Sequence, residues 1–310
     1  MSASPVAAEA GPGVRRRGRT WGGARRRWTG WAFVGPFLAV FVFALVVPIG
    51  YAIYLSLYRQ QLIGGNAFVG LSNYTLALHD PQFWASLRRV LLFLAVQVPV
   101  MLVLALLAAL ALDSARLRWA PLFRLSIFLP YAVPAVVASL MWGFMYGTQF
   151  GLVARLRSLF DGHFPDPLGS SWVLAAIGNV VTWEFVGYNM LIFYSALRAV
   201  PGELYEAAEI DGATELRVIR WIKLPALRVA IVVALIFSVI GSLQLFNEPN
   251  ILKQLAPDTI STNFTPNMYA YNLSFAGQEY NYSAAIAIVM GIVTVIIAAA
   301  VQWYGRRRAA

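Results

Sequence analysis

Residues 205–225 read YEAAEIDGATELRVIRWIKLP, a polar interruption between two strongly apolar stretches. Its first half predicts a helix, because its carboxylates favour the positive N-terminal end of a helix. Gly212 is predicted to end that helix, since glycine accepts a left-handed backbone. Thr214 can cap a second short helix, and Pro225 closes it. The pattern therefore predicts a helical hairpin over residues 201–225. Its acidic first half contains Glu203, Glu206, Glu209 and Asp211.

The composition of the whole chain indicates a membrane protein. The chain is 59% hydrophobic and 12% charged, whereas a soluble domain carries roughly 25% charged residues. It has no cysteine, which excludes disulfide scaffolds, thiolate metal sites and thiol catalysis. We find no pattern typical of a catalytic or metal site, and the two histidines, His79 and His163, fall in predicted loops.

Apolar runs predict an all-α integral membrane protein with six transmembrane helices. A helix needs about 20 apolar residues to cross the hydrocarbon core. The N-terminal run is too long for the core of a secretory signal, so we interpret it as a retained first span. Residues 1–30 are predicted to be a basic, disordered tail, and residues 31–305 one membrane domain. The predicted spans are residues 31–54, 90–112, 123–146, 172–197, 226–245 and 282–304.

Basic residues predict the orientation of these spans. Of the 24 lysines and arginines, 18 fall on the side of the N-terminus and six on the other. Basic residues are enriched in cytoplasmic loops, so both termini and the hairpin are expected in the cytoplasm. The net charge of +10 could also indicate nucleic-acid binding. The basic clusters flank apolar spans, however, and we expect no nucleic acid among the partners.

The hairpin resembles the "EAA" loop of permease subunits in bacterial ATP-binding cassette (ABC) importers. The match covers every fixed position of that loop, at the spacing that the loop requires. Without the resemblance, an amphipathic loop at the lipid headgroups would be an alternative to a docking surface. The resemblance implies that the following residues couple the chain to an ATPase: Glu206, Ala207, Ala208, Asp211, Gly212, Ile222, Leu224 and Pro225.

Three further stretches are similar to the carbohydrate-uptake branch of these permeases. They are FVGLSNY at 68–74, LPYAVP at 129–134 and AVPGELY at 199–205. The chain is most similar to the maltose-like and glycerol-phosphate-like first permease of a heterodimeric pair. That type often carries a Gly-Gly-Pro turn after the fifth span, whereas residues 252–257 here read LKQLAP.

This resemblance implies a type I ABC importer permease in the bacterial cytoplasmic membrane, crossing it several times. We expect it to translocate a sugar or oligosaccharide and not to be an enzyme. ATP and Mg²⁺ would bind the partner ATPase, and no cofactor is expected on this chain. The expected partners are a homologous second permease, two ATP-binding subunits, an extracytoplasmic solute-binding protein and membrane lipid. Alternatives are a permease for a polyol or glycerol phosphate, a stand-alone secondary transporter and a membrane enzyme.

Polar residues within the spans are candidates for the substrate path. Glu184 lies in the middle of the fourth span, where an ionisable group costs about 2.5–3.5 kcal/mol on insertion scales. It is predicted to share a helix face with Tyr188. Contacts between helices are an equally good explanation from the residues alone. The resemblance implies that Glu184, Phe185, Tyr188, Ser238, Gly241 and Ser242 match sugar-lining positions. The full candidate set is Trp183, Glu184, Phe185, Tyr188, Asn189, Ser238, Gly241, Ser242 and Gln244.

Overall fold

The computed structural model describes residues 23–61, 65–114, 118–161 and 163–309. The chain divides into two compact units, residues 1–51 and 52–310. Residues 1–22 of the predicted tail lie outside the described residues. The first described helix begins at Gly23, so residues 23–30 of the predicted tail are helical.

The first unit is helical throughout its described part. Helix α1 (Gly23–Phe41) leads into a π-helical turn (Val42–Val46), and α2 (Val47–Ser56) follows without a break. The apolar part, Trp31–Ser56, is long enough to span a membrane. This is the first predicted span.

After the last turn of α2, the second unit contains a short pair of strands. Strands β1 (Tyr58–Gln61) and β2 (Gly65–Phe68) pair antiparallel, a short exception to the all-helical prediction. Helix α3 (Ser72–His79) follows. The Asn73 side chain donates to the backbone carbonyls of Ser56 and Tyr58, at 2.8 Å each. These bonds join α3 to the end of α2 and to the first residue of β1.

Four further long apolar helices or helix pairs form the body of the second unit. Helices α4 and α8 make its most extensive helix–helix contact, and their buried side chains include Phe93 and Ile177 in one cluster and Met190 and Phe193 in another. The long elements are α4 (Pro81–Asp113), α8 (Val173–Arg198), α12 (Arg228–Leu243) with its extension α13 (Asn247–Leu252), and α15 (Tyr280–Ala309).

The third predicted span is not a straight helix. Helix α5 (Ala120–Phe128) runs into a 3₁₀ turn (Leu129–Ala132), and α6 (Ala135–Tyr146) departs at 98° to the preceding helical run. Pro130 and Pro134 flank the bend, and proline lacks the backbone N–H that would continue a helix. The described residues therefore contain five helices long enough to span a membrane, or six if this bent pair counts as one span.

Shorter helices connect these elements. Three of them, α9 (Gly202–Ile210), α10 (Glu215–Val218) and α11 (Leu224–Ala226), belong to the hairpin, with a π-helical turn (Ile219–Lys223) between the last two. The others are α7 (Leu152–Leu159) and α14 (Pro266–Phe275).

A carboxylate fixes the start of α4. Asp80 accepts hydrogen bonds from the hydroxyls of Tyr269 at 2.6 Å and Tyr282 at 2.7 Å, and from the Gln82 N–H at 2.8 Å. Burial alone would raise the pKa of Asp80, but these hydrogen bonds outweigh it and hold the pKa below its ordinary value. The cluster joins α4 to α14 and α15.

Candidate functional site

A cavity of about 360 Å³ lies among α4, α8, α12 and the 3₁₀ turn before α6. Seven residues of the predicted substrate path line it: Phe185, Tyr188, Asn189, Ser238, Gly241, Ser242 and Gln244. The structure thus brings the candidates from the fourth and fifth predicted spans to one place. The lining also contains residues outside the predicted set, namely Phe93, Gln97, Met101, Tyr131, Val181, Phe237, Leu245, Phe246, Asn247 and Glu248.

Stacked aromatic rings form one wall of the cavity. The Tyr131 and Tyr188 rings lie 4.9 Å apart at 18°, and Phe185 meets Tyr131 edge-on at 5.8 Å. Tyr131 lies in the 3₁₀ turn just before the bend. The signal in the sequence was the proline on either side of residues 131–133, within a stretch already noted for its resemblance.

A close approach of two backbones holds this wall together. At Gly187 an added Cβ would lie 2.7 Å from the Cα of Phe128, and it would overlap the carbonyl oxygen of Ile127. Only glycine permits α8 and α5 to come this near. The contact lies next to Tyr188 on one helix and three residues before Tyr131 on the other chain segment.

Amide side chains form the polar part of the wall. The Asn189 amide donates to the Phe185 carbonyl at 3.0 Å, which fixes its orientation because a carbonyl can only accept. The Gln97 amide donates to Thr182 at 3.4 Å. The acceptor oxygens of Asn189 and Gln97 have no hydrogen-bond partner among the described residues. A buried acceptor without a hydrogen-bond partner costs about 1–3 kcal/mol. A ligand that donates hydrogen bonds to these oxygens would remove that cost.

Two predicted path residues are not in the cavity wall. Trp183 packs edge-on against Trp142, with ring centroids 5.9 Å apart. Glu184 is only 3% exposed, and neither carboxylate oxygen has a hydrogen-bond partner within the described part of the chain. Glu184 interacts electrostatically with Glu248, which does line the cavity. Glu184 therefore lies behind the wall that Tyr188 forms.

The hairpin folds largely as its sequence predicts. Helix α9 ends at Ile210, and Gly212 takes the left-handed conformation with φ +67°. Thr214 occupies the N-cap of α10, but its side chain makes no capping hydrogen bond. The second half departs from the prediction of one short helix, because a π-helical turn separates α10 from α11.

The surface of the hairpin combines exposed carboxylates with exposed apolar side chains. Glu206, Ala207, Asp211 and Gly212 are exposed, whereas Ala208, Ile222, Leu224 and Pro225 are partly buried. Ile210 is 87% exposed and Leu216 is 74% exposed, although both are large and apolar. Exposed apolar residues rimmed by charged ones are typical of a protein-binding surface.

The opposite side of the hairpin faces into the fold. The Lys223 ammonium lies 2.6 Å from the Asp113 carboxylate at the end of α4, and 5.6 Å from the centre of the Tyr205 ring on α9. Burial is the main cause that raises the pKa of the Tyr205 phenol, and the negative charge of Asp113 raises it further. The positive charge of Arg198 lowers this pKa by a smaller amount.

Residues 74–309 match the family described as the binding-protein-dependent transport system inner membrane component. The chain belongs to this family. As an inner membrane component of such a transport system it is a permease subunit, a transport component and not a catalyst.

Named relatives of this inner membrane component are sugar permeases. It is 32% identical over 285 residues to the lactose transport system permease protein LacF of Rhizobium radiobacter, covering 90% of this chain and 94% of that one. It is 33% identical over 287 residues to the diacetylchitobiose uptake system permease protein NgcF of Streptomyces coelicolor, covering 87% and 80%. It is 30% identical over 264 residues to the trehalose/maltose transport system permease protein MalF of Thermococcus litoralis, covering 84% and 88%.

The fold of this inner membrane component also matches a solved importer. A chain of a bacterial ABC transporter involved in the import of the acidic polysaccharide alginate superposes with a TM-score of 0.82, covering 93% of this chain and 99% of that chain at 22% identity. The same transporter has been solved in complex with an alginate pentasaccharide-bound periplasmic protein, and matches at a TM-score of 0.82 over 94% and 98% at 21% identity. The type I ABC importer permease fold expected from the hairpin is thereby confirmed.

Proposed function

We propose that this permease carries a sugar or oligosaccharide through the cavity beside Tyr188, as part of an ATP-driven importer in the bacterial cytoplasmic membrane. The sugar substrates of its relatives support this substrate class. The hairpin and both termini are cytoplasmic in this proposal, because 18 of the 24 basic residues then lie inside.

The observation that carries the proposal is the composition of the cavity. A sugar ring has an apolar face of C–H groups and a rim of hydroxyls. The stacked pair of Tyr131 and Tyr188 offers a flat apolar surface for the face. Asn189, Gln97 and Ser242 offer polar groups for the rim. The volume of about 360 Å³ lies within the range of small-molecule sites, about 300–1,000 Å³.

The charge of the cavity argues against glycerol phosphate as the solute. Among the described residues that line it, Glu248 is the charged one, and Glu184 lies nearby. An anion would meet carboxylates, and no lysine or arginine is among the described residues that line the cavity. An uncharged polyol remains compatible with the same lining.

The exposed face of the hairpin is the proposed docking site for an ATP-binding subunit. Its mixture of carboxylates with Ile210 and Leu216 suits a protein partner better than an anionic membrane surface. The complete importer would contain a homologous second permease, two ATP-binding subunits that hold ATP and Mg²⁺, and a solute-binding protein. ATP binding would then shift the permease pair between two conformations. No cofactor is assigned to this chain.

Substitution of Tyr188 by alanine tests the sugar path. Loss of one stacking surface is worth about 0.5–1.5 kcal/mol, which corresponds to roughly threefold to tenfold weaker binding. We expect uptake of lactose, trehalose and diacetylchitobiose to fall by unequal factors at matched membrane abundance. Tyr280→Ala, which removes a half-exposed tyrosine outside the cavity lining, is the control. Lower membrane abundance with equal uptake of all three sugars per inserted chain would show that Tyr188 only supports packing.

A further inference from the structure

A buried ion pair joins the hairpin to the C-terminal end of α4. The Lys223 ammonium and the Asp113 carboxylate are 2.6 Å apart, and the two side chains are 10% and 9% exposed. These residues are 110 positions apart in the chain. The pair is therefore a tertiary contact between two elements and not a local feature of one helix.

Lys223 contacts both halves of the hairpin as well as α4. It ends the π-helical turn of the second half, and its ammonium lies over the Tyr205 ring of α9 in the first half. A cation over a tyrosine face is attracted by the ring. One side chain thus connects three segments of backbone.

Helix α4 continues from this junction to the cavity. Met101 is twelve residues before Asp113, about 18 Å along a helix at 1.5 Å per residue. Phe93, Gln97 and Met101 all line the cavity. Their spacing of four residues places them on one face of α4. A displacement of the end of α4 would therefore also move these three residues in the cavity wall.

We propose that Lys223 and Asp113 form a coupling tie, which makes the hairpin and α4 move as one body when the ATP-binding subunits close. This inference rests on the proposed function, since it assumes that the hairpin docks on those subunits. Both are positioning residues, because neither is among the residues that line the cavity. Their role is to carry a movement at the docking surface to Gln97 and Met101.

The chemistry of the pair suits positioning better than stability. Removing two charges from water is costly, so a buried ion pair often adds little net stability compared with apolar residues. It does specify one geometry, because each charge is satisfied only opposite the other. The same cost forbids separation of the two charges within the fold, so the tie should hold in both conformations of the importer.

Electron–electron distance measurements test the tie without knowledge of the solute. Nitroxide labels are placed at Glu209 on α9 and Val103 on α4, which are both exposed. The complete importer, purified with its ATP-binding subunits, is measured with and without ATP. In the wild type we expect the same distance distribution in both states.

The double variant Asp113→Asn with Lys223→Met removes both charges, so neither is left buried alone. We expect its membrane abundance and its co-purification with the ATP-binding subunits to be retained, while ATP changes its label distance and sugar-stimulated ATP hydrolysis falls at least tenfold. The exchanged pair, Asp113→Lys with Lys223→Asp, should restore a distance that ATP does not change. Arg228→Met removes an exposed positive charge just after the hairpin and is the matched control.

A label distance that is independent of ATP in the uncharged double variant, with normal stimulation of ATP hydrolysis, would overturn the tie. So would a distance that already changes with ATP in the wild type. Failure of the wild-type chain to bind any ATP-binding subunit would instead contradict the proposed docking of the hairpin, which is a separate result.

Discussion

Replacement of Gly187 by alanine should distort the cavity from outside it. Gly187 faces the backbone of α5, and an alanine Cβ would lie 2.7 Å from both the Ile127 carbonyl carbon and the Phe128 Cα. Ordinary van der Waals contact begins near 3.4 Å. Because the opposing atoms are backbone, no side-chain rotation can relieve the overlap, and the two segments must separate by about 1 Å to reach the usual carbon–carbon spacing.

The cost of this substitution has two parts. Forcing an extra methyl group into a packed contact costs about 1–3 kcal/mol. The separation also moves the 3₁₀ turn that carries Tyr131 away from Tyr188. In the wild-type structure the rings of these two tyrosines lie 4.9 Å apart. Losing that stacking costs about 0.5–1.5 kcal/mol. The expected total is about 1.5–4.5 kcal/mol.

Thermal unfolding of the purified importer and sugar uptake measure the two parts separately. We expect Gly187→Ala to lower the unfolding midpoint and to reduce uptake at least tenfold at matched abundance. Gly291→Ala is the control, because an added Cβ there meets nothing within 4 Å. An unfolding midpoint and an uptake rate equal to those of the wild type would show that α8 and α5 are not in contact as described. This contact would then not position the aromatic wall.

Three further predictions concern other parts of the chain. Single cysteines placed at Thr214 and Ser261, which are both exposed, should differ in their labelling by a membrane-impermeant thiol reagent in intact cells. We expect Ser261→Cys to be labelled and Thr214→Cys to stay unlabelled. The reverse pattern would refute the orientation. Glu206→Lys should abolish ATP-driven uptake while the chain remains inserted; normal uptake would exclude docking through this face. Asp80→Ala should lower the free energy of unfolding by at least about 2 kcal/mol, from a lost helix cap and hydrogen bonds to a charged group, whereas Asp258→Ala should have little effect. Because the pKa of Asp80 is lowered in the fold, its contribution to stability is fully present at pH values above the ordinary pKa of 3.8. This contribution is lost as the pH falls through the lowered pKa. Unfolding curves at successive pH values would detect the loss.

The sequence was informative where one local rule decides the backbone. Gly212 is left-handed and α9 ends beside it, because glycine is the residue that adopts this conformation without strain. The apolar spans were also predictable, since their length follows from the thickness of the hydrocarbon core. These features require no knowledge of which helices are neighbours.

Other features depend on tertiary geometry, which local rules of sequence do not contain. The prolines around Tyr131 indicated an interruption, but neither its angle of 98° nor the stacking on Tyr188 could be obtained without the neighbouring helix. Glu184 was assigned to the same face as Tyr188 by helical spacing. Its burial behind the wall depends on which helices pack against α8, which spacing alone does not contain.

The position of the hairpin in the chain explains why it can act on the cavity from several sides. It lies between α8 and α12 in the sequence, and both helices line the cavity. A movement of the hairpin therefore acts directly on these two walls through the covalent backbone. The third wall, α4, has no such connection, because residues 114–172 separate it from α8. Helix α4 packs against α8 and α12, but packed helices can slide past one another by small amounts. The Lys223–Asp113 pair attaches the end of α4 directly to the hairpin, which is why its loss is expected to reduce sugar-stimulated ATP hydrolysis without preventing assembly.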